Sequence, residues 1–134
     1  MTLPANAEAL VTEYLRDDPT VSALVAARVY TVIPSGNASW PLLRVVRIGG
    51  VPAFSRPLYL DRANLQIDAF GGSKAQALTL ADTARMALSE IDLAMHSEGV
   101  VTGIEFGPLA YVPDPDFEPA KPRYLFDVTL TLHP

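Results

Sequence analysis

Along this chain the apolar positions fall into two spacings, and the change from one to the other marks the elements. Ala7, Leu10, Val11, Tyr14 and Leu15 recur at helical intervals and predict an amphipathic helix ending at Asp17. Asp18 then caps a second, short helix with Pro19 at its first position and Val21, Leu24 and Val25 facing inward. Arg28 to Ile33 is rich in β-branched residues and stops at Pro34. After the turn residues SGNAS, Trp40 to Ile48 is again rich in Val, Leu and Ile before Gly49 and Gly50. These two segments predict strands joined by a hairpin-like link, with the glycine pairs 49–50 and 71–72 serving as turns.

The segment Ala63 to Ile91 carries the clearest switch. Ala63, Leu65, Ile67 and Ala69 alternate with Asn64, Gln66, Asp68 and Phe70, which predicts a half-buried strand over Tyr59 to Phe70. Beyond Gly71 and Gly72, the positions Ala77, Leu80, Ala81, Ala84, Leu88 and Ile91 follow the helical period, so a long helix is expected from Lys74 to about Met95. Ser73 and Gln76 form an S-x-x-Q capping box at its start. Gly99 to Val112 reads as extended with an interruption near Gly107 and Pro108. In the last strand Tyr124, Phe126, Val128, Leu130 and Leu132 alternate strictly with their neighbours.

Between them, Pro113 to Pro122 reads PDPDFEPAKP, too rich in proline for a helix interior or a central strand, and is expected to be a projecting acidic loop or arm. The order of elements is helix, short helix, three strands, long helix, two strands. It predicts an α+β two-layer sandwich, an antiparallel or mixed sheet of about five strands with helices packed on one face. No internal repeat appears, and one domain spanning residues 1–134 is expected.

Composition narrows the function. The chain has no cysteine, which removes thiolate chemistry and cysteine-ligated zinc and suits a reducing compartment. No apolar run approaches the ~18 residues of a membrane span, and MTLPANAEAL lacks the pattern of a signal peptide, so a protein that keeps its N-terminus and has no membrane partner is expected. Fifteen acidic and ten basic residues give a net charge of −5 with no basic cluster, which argues against specific nucleic-acid binding.

Candidate chemistry is sparse. His96 and His133 have no partner at metal spacing, and His96, expected at a helix C-terminus, is explained there by the helix dipole. Asp114, Asp116 and Glu118 are spaced like calcium-loop oxygens, but Pro113, Pro115 and Pro119 oppose the tight loop and favour a solvated acidic arm. Asp61 with Asp68, or Glu90 with Asp92, are carboxylate pairs without a companion nucleophile, and surface charge accounts for them better than acid-base work. There is no G-x-S-x-G elbow, Walker-type loop or G-x-G-x-x-G. No catalytic residue, cofactor or metal is therefore expected. The loop GGVPAFSRP places Phe54 and Arg56, with Tyr59 beyond, in a stretch whose composition suits the surface, and aromatic and arginine side chains anchor interfaces. Phe54 equally suits covering one end of the core. The same two readings stand for Trp40 and for Phe117, which lies on the arm between Pro115 and Pro119.

With the whole order in view, the chain resembles the tail terminator, or tail completion, family of long-tailed bacteriophages. The resemblance is carried by YLRDDPTVSALVAARVYTVIP, the proline-led WPLLRVVRI, LDRANLQIDAFGGSKAQALTLADTARMAL and the closing RYLFDVTLTL, which span most of the chain. It implies a structural, non-enzymatic virion protein of the tail or neck, assembled in the host cytoplasm. Such a protein forms a hexameric ring that caps the tail tube, stops its polymerisation and joins the tail to the head connector. Its partners would be copies of itself, the tail tube protein and the head-tail connector protein, with DNA passing through the lumen unheld. Another neck, head-closure or tube protein is the nearest alternative, and a small-molecule-binding α+β domain the more distant one. A head-to-tail ring needs two unlike exposed surfaces. The candidates are Phe54, Arg56 and Tyr59 with Val51 on one side, and Pro115, Phe117 and Pro119 on the other.

Overall fold

A computed structural model describes residues 5–35, 39–52, 60–91, 95–117 and 119–134. Phe54, Arg56, Tyr59, Asp92 and Glu118 lie outside the described residues. The chain begins with helix α1, Ala7–Asp17, whose first turn is capped by the Asn6 side chain accepting from the Ala9 amide at 3.0 Å. Asp18 ends α1 and starts α2, Pro19–Val25: its carboxylate accepts from the Thr20 and Val21 amides, and Pro19 occupies the first turn, where an N–H is not needed. Helix α3, Lys74–Leu88, is opened by Ser73, which accepts from the Gln76 amide, while Gln76 Oε1 accepts from the Gly72 amide.

Seven strands form one mixed sheet: β1 (Val29–Tyr30), β2 (Leu42–Pro52), β3 (Asp61–Phe70), β4 (Met95–His96), β5 (Gly99–Phe106), β6 (Ala110–Tyr111) and β7 (Arg123–His133). Their order is β1-β2-β3-β7-β5-β4, with β6 also paired to β7, beyond the end of β5. All neighbours are antiparallel except β1 and β2. The helices cover one face. There Leu43 and Val45 of β2, Ala63, Leu65, Ile67 and Ala69 of β3, and Phe126, Val128, Leu130 and Leu132 of β7 meet Leu10, Val11 and Leu15 of α1 and Leu80, Ala81, Ala84 and Leu88 of α3. Each such Val, Leu, Ile or Phe side chain contributes roughly 1.5–3 kcal/mol by leaving water, and each alanine less. The α+β sandwich is thus formed as the period-two and period-3.6 patterns require.

Four local expectations are corrected. Arg28–Ile33 does not form a full strand or a hairpin: only Val29–Tyr30 pair, and they run parallel to β2, with Val29 opposite Leu43. Chain geometry gives the reason. A parallel partner is reached only when the chain returns to the same end of the sheet before the second strand begins, so a tight hairpin cannot join the two. Gly49 and Gly50 are not a turn, because β2 continues to Pro52 through a bulge between Arg47 and Gly49. Gly50 has φ 111°, and a Cβ there would lie 2.0 Å from the Arg62 carbonyl oxygen, so only glycine lets the two backbones approach. Helix α3 stops at Leu88, where the Glu90 and Ile91 amides turn back to the Ala87 and Leu88 carbonyls. His96 therefore lies not at a helix C-terminus but in β4, its ring edge-on to Tyr14 at 5.6 Å. Asp68 is not a surface charge: it is fully buried.

The turn after α2 carries local strain. The Arg28 amide bonds the Val25 carbonyl at 2.9 Å, and between them Ala26 takes φ 54°, ψ −122°, the first central position of a type II′ turn, which favours glycine. An alanine there costs of order 1–3 kcal/mol, while a glycine would cost roughly 0.5–1 kcal/mol more in unfolded-chain entropy. Ala26→Gly is expected to raise stability by about 1 kcal/mol, read from the midpoint of urea unfolding. Asp18 supplies a pH-dependent term. Burial raises its pKa, but hydrogen bonds from the Thr20 hydroxyl and the Val21 and Thr20 amides outweigh that and leave it lowered. The charged cap thus stabilises the fold above the usual carboxylate range, and that contribution is lost as pH falls through the folded value. Asp18→Ala should cost about 1 kcal/mol at neutral pH, and the gap from the parent should shrink in acid denaturation series.

Candidate functional site

Among the described residues, the face of the sheet opposite the helices is covered most fully at one end. Phe70, the last residue of β3, points to this face and is fully buried. Trp40 lies over it with ring centroids 5.5 Å apart, and Phe117, from the proline-rich segment, stands edge-on to Trp40 at 5.2 Å and to Phe70 at 6.0 Å. Such tilted and edge-to-face pairs add about 0.5–1.5 kcal/mol beyond the area they bury. The proline-rich segment comes back over the sheet because its base is paired. Asp114 and Lys121 exchange backbone hydrogen bonds of 2.9 and 3.1 Å, and the Gly71 amide donates to the Pro122 carbonyl.

Charges lock the same corner. Asp68, beside Phe70, accepts from Arg44 Nε at 2.8 Å and lies 2.7 Å from Arg44 Nη2, while Gln66 Nε2 donates to its other oxygen at 2.9 Å. Arg123, opposite Phe70 on β7, stands 4.0 Å from Asp68 and 3.7 Å from the buried Asp114. A buried carboxylate is tolerated only when paired and hydrogen-bonded, and Asp68 has both kinds of partner. Both guanidinium groups also lie over the Phe70 ring, at 5.4 and 5.8 Å, and Lys121 Nζ lies 4.5 Å above Trp40.

Between this corner and residues 31–35 runs a cleft of about 880 Å³, lined by Val32, Ile33, Arg44, Val46, Trp40 and Phe117 among others. The structure brings Trp40, Phe117 and Pro119 to one cleft, whereas Pro115 is exposed on the turn of the hairpin and outside it. Of the proposed carboxylate pairs, Asp68 belongs to the buried network and Asp61 makes a two-pronged pair with Arg47, at 2.6 and 2.9 Å. Asp114 accepts from the Asp116 amide at 3.0 Å and faces Arg123 rather than forming a calcium-type loop. Among the described residues no three His, Cys, Asp or Glu side chains stand together as metal ligands. Sequence reasoning missed Arg44 and Arg123 and read Asp68 as a surface charge; the one signal for the cluster was Phe70, an aromatic on the polar side of β3.

The model of the tail completion protein gp17 family matches residues 9–116, from within α1 to the proline-rich hairpin. The chain belongs to that family. As a tail completion protein it is a structural protein of the phage tail and resides in the virion, at the tail or neck. No curated protein sequence matches the chain. Its fold is similar to that of a chain in a solved structure described as the virion of a native gene transfer agent particle. That likeness has 18% identity, covers 96% of this chain and 95% of that one, and reaches a TM-score of 0.72. At such low identity the resemblance speaks to the fold, which the tail completion protein shares over 96% of its length with that chain.

The sole tryptophan, Trp40, reports on this corner. Phe117→Ala removes an edge-on ring from it and should cost roughly 1–3 kcal/mol, less than the 3–5 kcal/mol of a fully buried phenylalanine because Phe117 is half-buried. A red-shifted Trp40 emission in the folded variant is the expected signature, and unchanged emission would show that the hairpin does not pack there.

Proposed function

We propose that this tail completion protein forms a closed ring of six copies on the last ring of the tail tube, where it stops polymerisation and offers a surface to the head connector. The observation that carries this reading is the family match over residues 9–116. The chemistry of the molecule agrees with it. In the cleft Arg44 and Asp114 are engaged in structural pairs and Lys121 lies over Trp40, so the surface is suited to contact rather than reaction, and no catalytic role enters the proposal. The acidic balance of the chain, −5, suits a passage through which DNA slides without being held, since a basic wall would retain phosphates. The partners of the assembly are further copies of the chain, the tail tube protein and the head-tail connector protein.

Native mass spectrometry and negative-stain imaging, with and without purified tail tube, test the proposal. The expected result is a closed hexamer, alone or appearing only when tube is added, together with an arrest of tube growth. A monomer or dimer indifferent to the tube overturns it, and binding to the connector with no affinity for the tube would assign the chain to head closure instead.

A further inference from the structure

The sheet has two outer edges, β2 beyond its short pairing with β1 and β5 beyond its short pairing with β4. Among the described residues β1 reaches only Leu43 and Arg44, and β4 only Gly99 and Val100. The register carries the remaining stretches across to each other. Arg47 stands level with Leu65, Val128 and Phe106, and Pro52 stands level with Asp61, Leu132 and Val101. Residues 47–52 and 101–106 are therefore at one height on opposite edges. Their directions match as well. Because β2, β3, β7 and β5 are antiparallel in turn, β5 of a second copy laid beside β2 in the same orientation would run antiparallel to it. A sheet with both edges bare can add copy to copy without end, whereas one bare edge allows a pair at most.

The β5 edge is bare. Among the described residues nothing pairs with residues 101–106 on the side away from β7, and Met86 of α3, 72% exposed, borders a shallow cavity of about 400 Å³ with Phe106. The β2 edge differs. The Leu43 amide donates to the Arg28 carbonyl at 3.0 Å, and beyond the reach of β1 the Arg47 amide donates to Glu8 Oε2 at 2.7 Å. Arg47 Nε donates to the Gly49 carbonyl at 3.0 Å, its guanidinium fixed by Asp61. Side chains thus occupy an amide and a carbonyl at the start of the matched stretch. Past them, the bulge and Gly50 at φ 111° disturb the even spacing a ladder needs, and Pro52 has no amide to give. Glu8 lies in the first turn of α1, where a carboxylate is favoured. A strand arriving at Arg47 would have to displace a charge-assisted hydrogen bond and leave that carboxylate without its partner.

We propose that Glu8 is an internal block on edge-to-edge growth: its carboxylate, seated on the Arg47 amide, keeps β2 from pairing with β5 of a second copy. The block needs no ring and is separate from the contacts that would close one.

Three variants test it against the parent, by light scattering over a range of concentrations, with folding checked by circular dichroism and amide exchange read at Arg47. Glu8→Ala removes the acceptor, Glu8→Asp draws it back by one methylene, and Glu8→Gln keeps an oxygen within reach. In the alanine and aspartate variants at low concentration, the Arg47 amide should exchange at least about tenfold faster than in the parent. Their mass should climb continuously with concentration, past any closed species the parent forms, and the Arg47 amide should regain protection as it climbs. Glu8→Gln should behave as the parent does. Mass that does not grow in either of the first two variants, growth that leaves the Arg47 amide unprotected, or equal growth in Glu8→Gln would each overturn the block. If Glu8→Ala does not fold, Glu8→Asp, which keeps the charge in the first turn, decides the matter.

Discussion

The hydrogen-bond ladders on both sides of β3 are the constraint from which the other arrangements follow. Every residue from Asp61 to Phe70 pairs with β7, and the same span pairs with β2 across one bulge. A strand held on both sides has fixed register, and register decides which side chains meet which face. Ala63, Leu65, Ile67 and Ala69 are thereby committed to the helices, and Asn64, Gln66, Asp68 and Phe70 to the other side. The bulge in β2 and the glycine at position 50 adapt the neighbour to β3 rather than the reverse.

That commitment creates a problem at the end of β3, where a carboxylate and a phenyl ring stand side by side on the face away from the helices. Left in water, Phe70 would expose a large apolar surface. Covering it takes Asp68 out of water too, at a desolvation cost of several kcal/mol that only close pairing offsets. Arg44 and Gln66 supply the pairing from β2 and β3, and Arg123 from β7 links the carboxylate to Asp114 in the hairpin. One cover therefore serves both residues: Trp40 and Phe117 shield the ring, and the hairpin that brings Phe117 also brings Asp114 to Arg123. The guanidinium groups act twice, pairing with carboxylates and lying over the Phe70 face.

Much of the architecture was legible because it depends on spacing. The helices, the break at Asp18-Pro19, the capping box at Ser73 and the alternation of β7 all follow from positions close in sequence, and each is formed as the pattern requires. What was not legible depended on residues far apart. The parallel pairing of Val29 with Leu43 is invisible to local propensity, as is the early end of α3, where Ile91 keeps the helical spacing yet is buried in a turn. Asp68 read as solvated because alternation reports on one face at a time and says nothing of a cover arriving from Pro113–Pro122. Trp40 and Phe117 were noticed as aromatics in loops, but their meeting over Phe70 needed the fold. Phe106 and Met86, distant in sequence and on different elements, gave no sign that they share a surface.

The hydrogen bond from the Arg47 amide to Glu8 ties the first helix to a sheet margin, and it also governs how the margin meets other molecules. An uncovered strand edge accepts any extended backbone, in more than one register, and growth from it has no built-in count. A carboxylate seated on that amide works as a stopper. What such a margin still offers is the shape of its side chains, which, unlike a bare backbone, admits a partner at few angles.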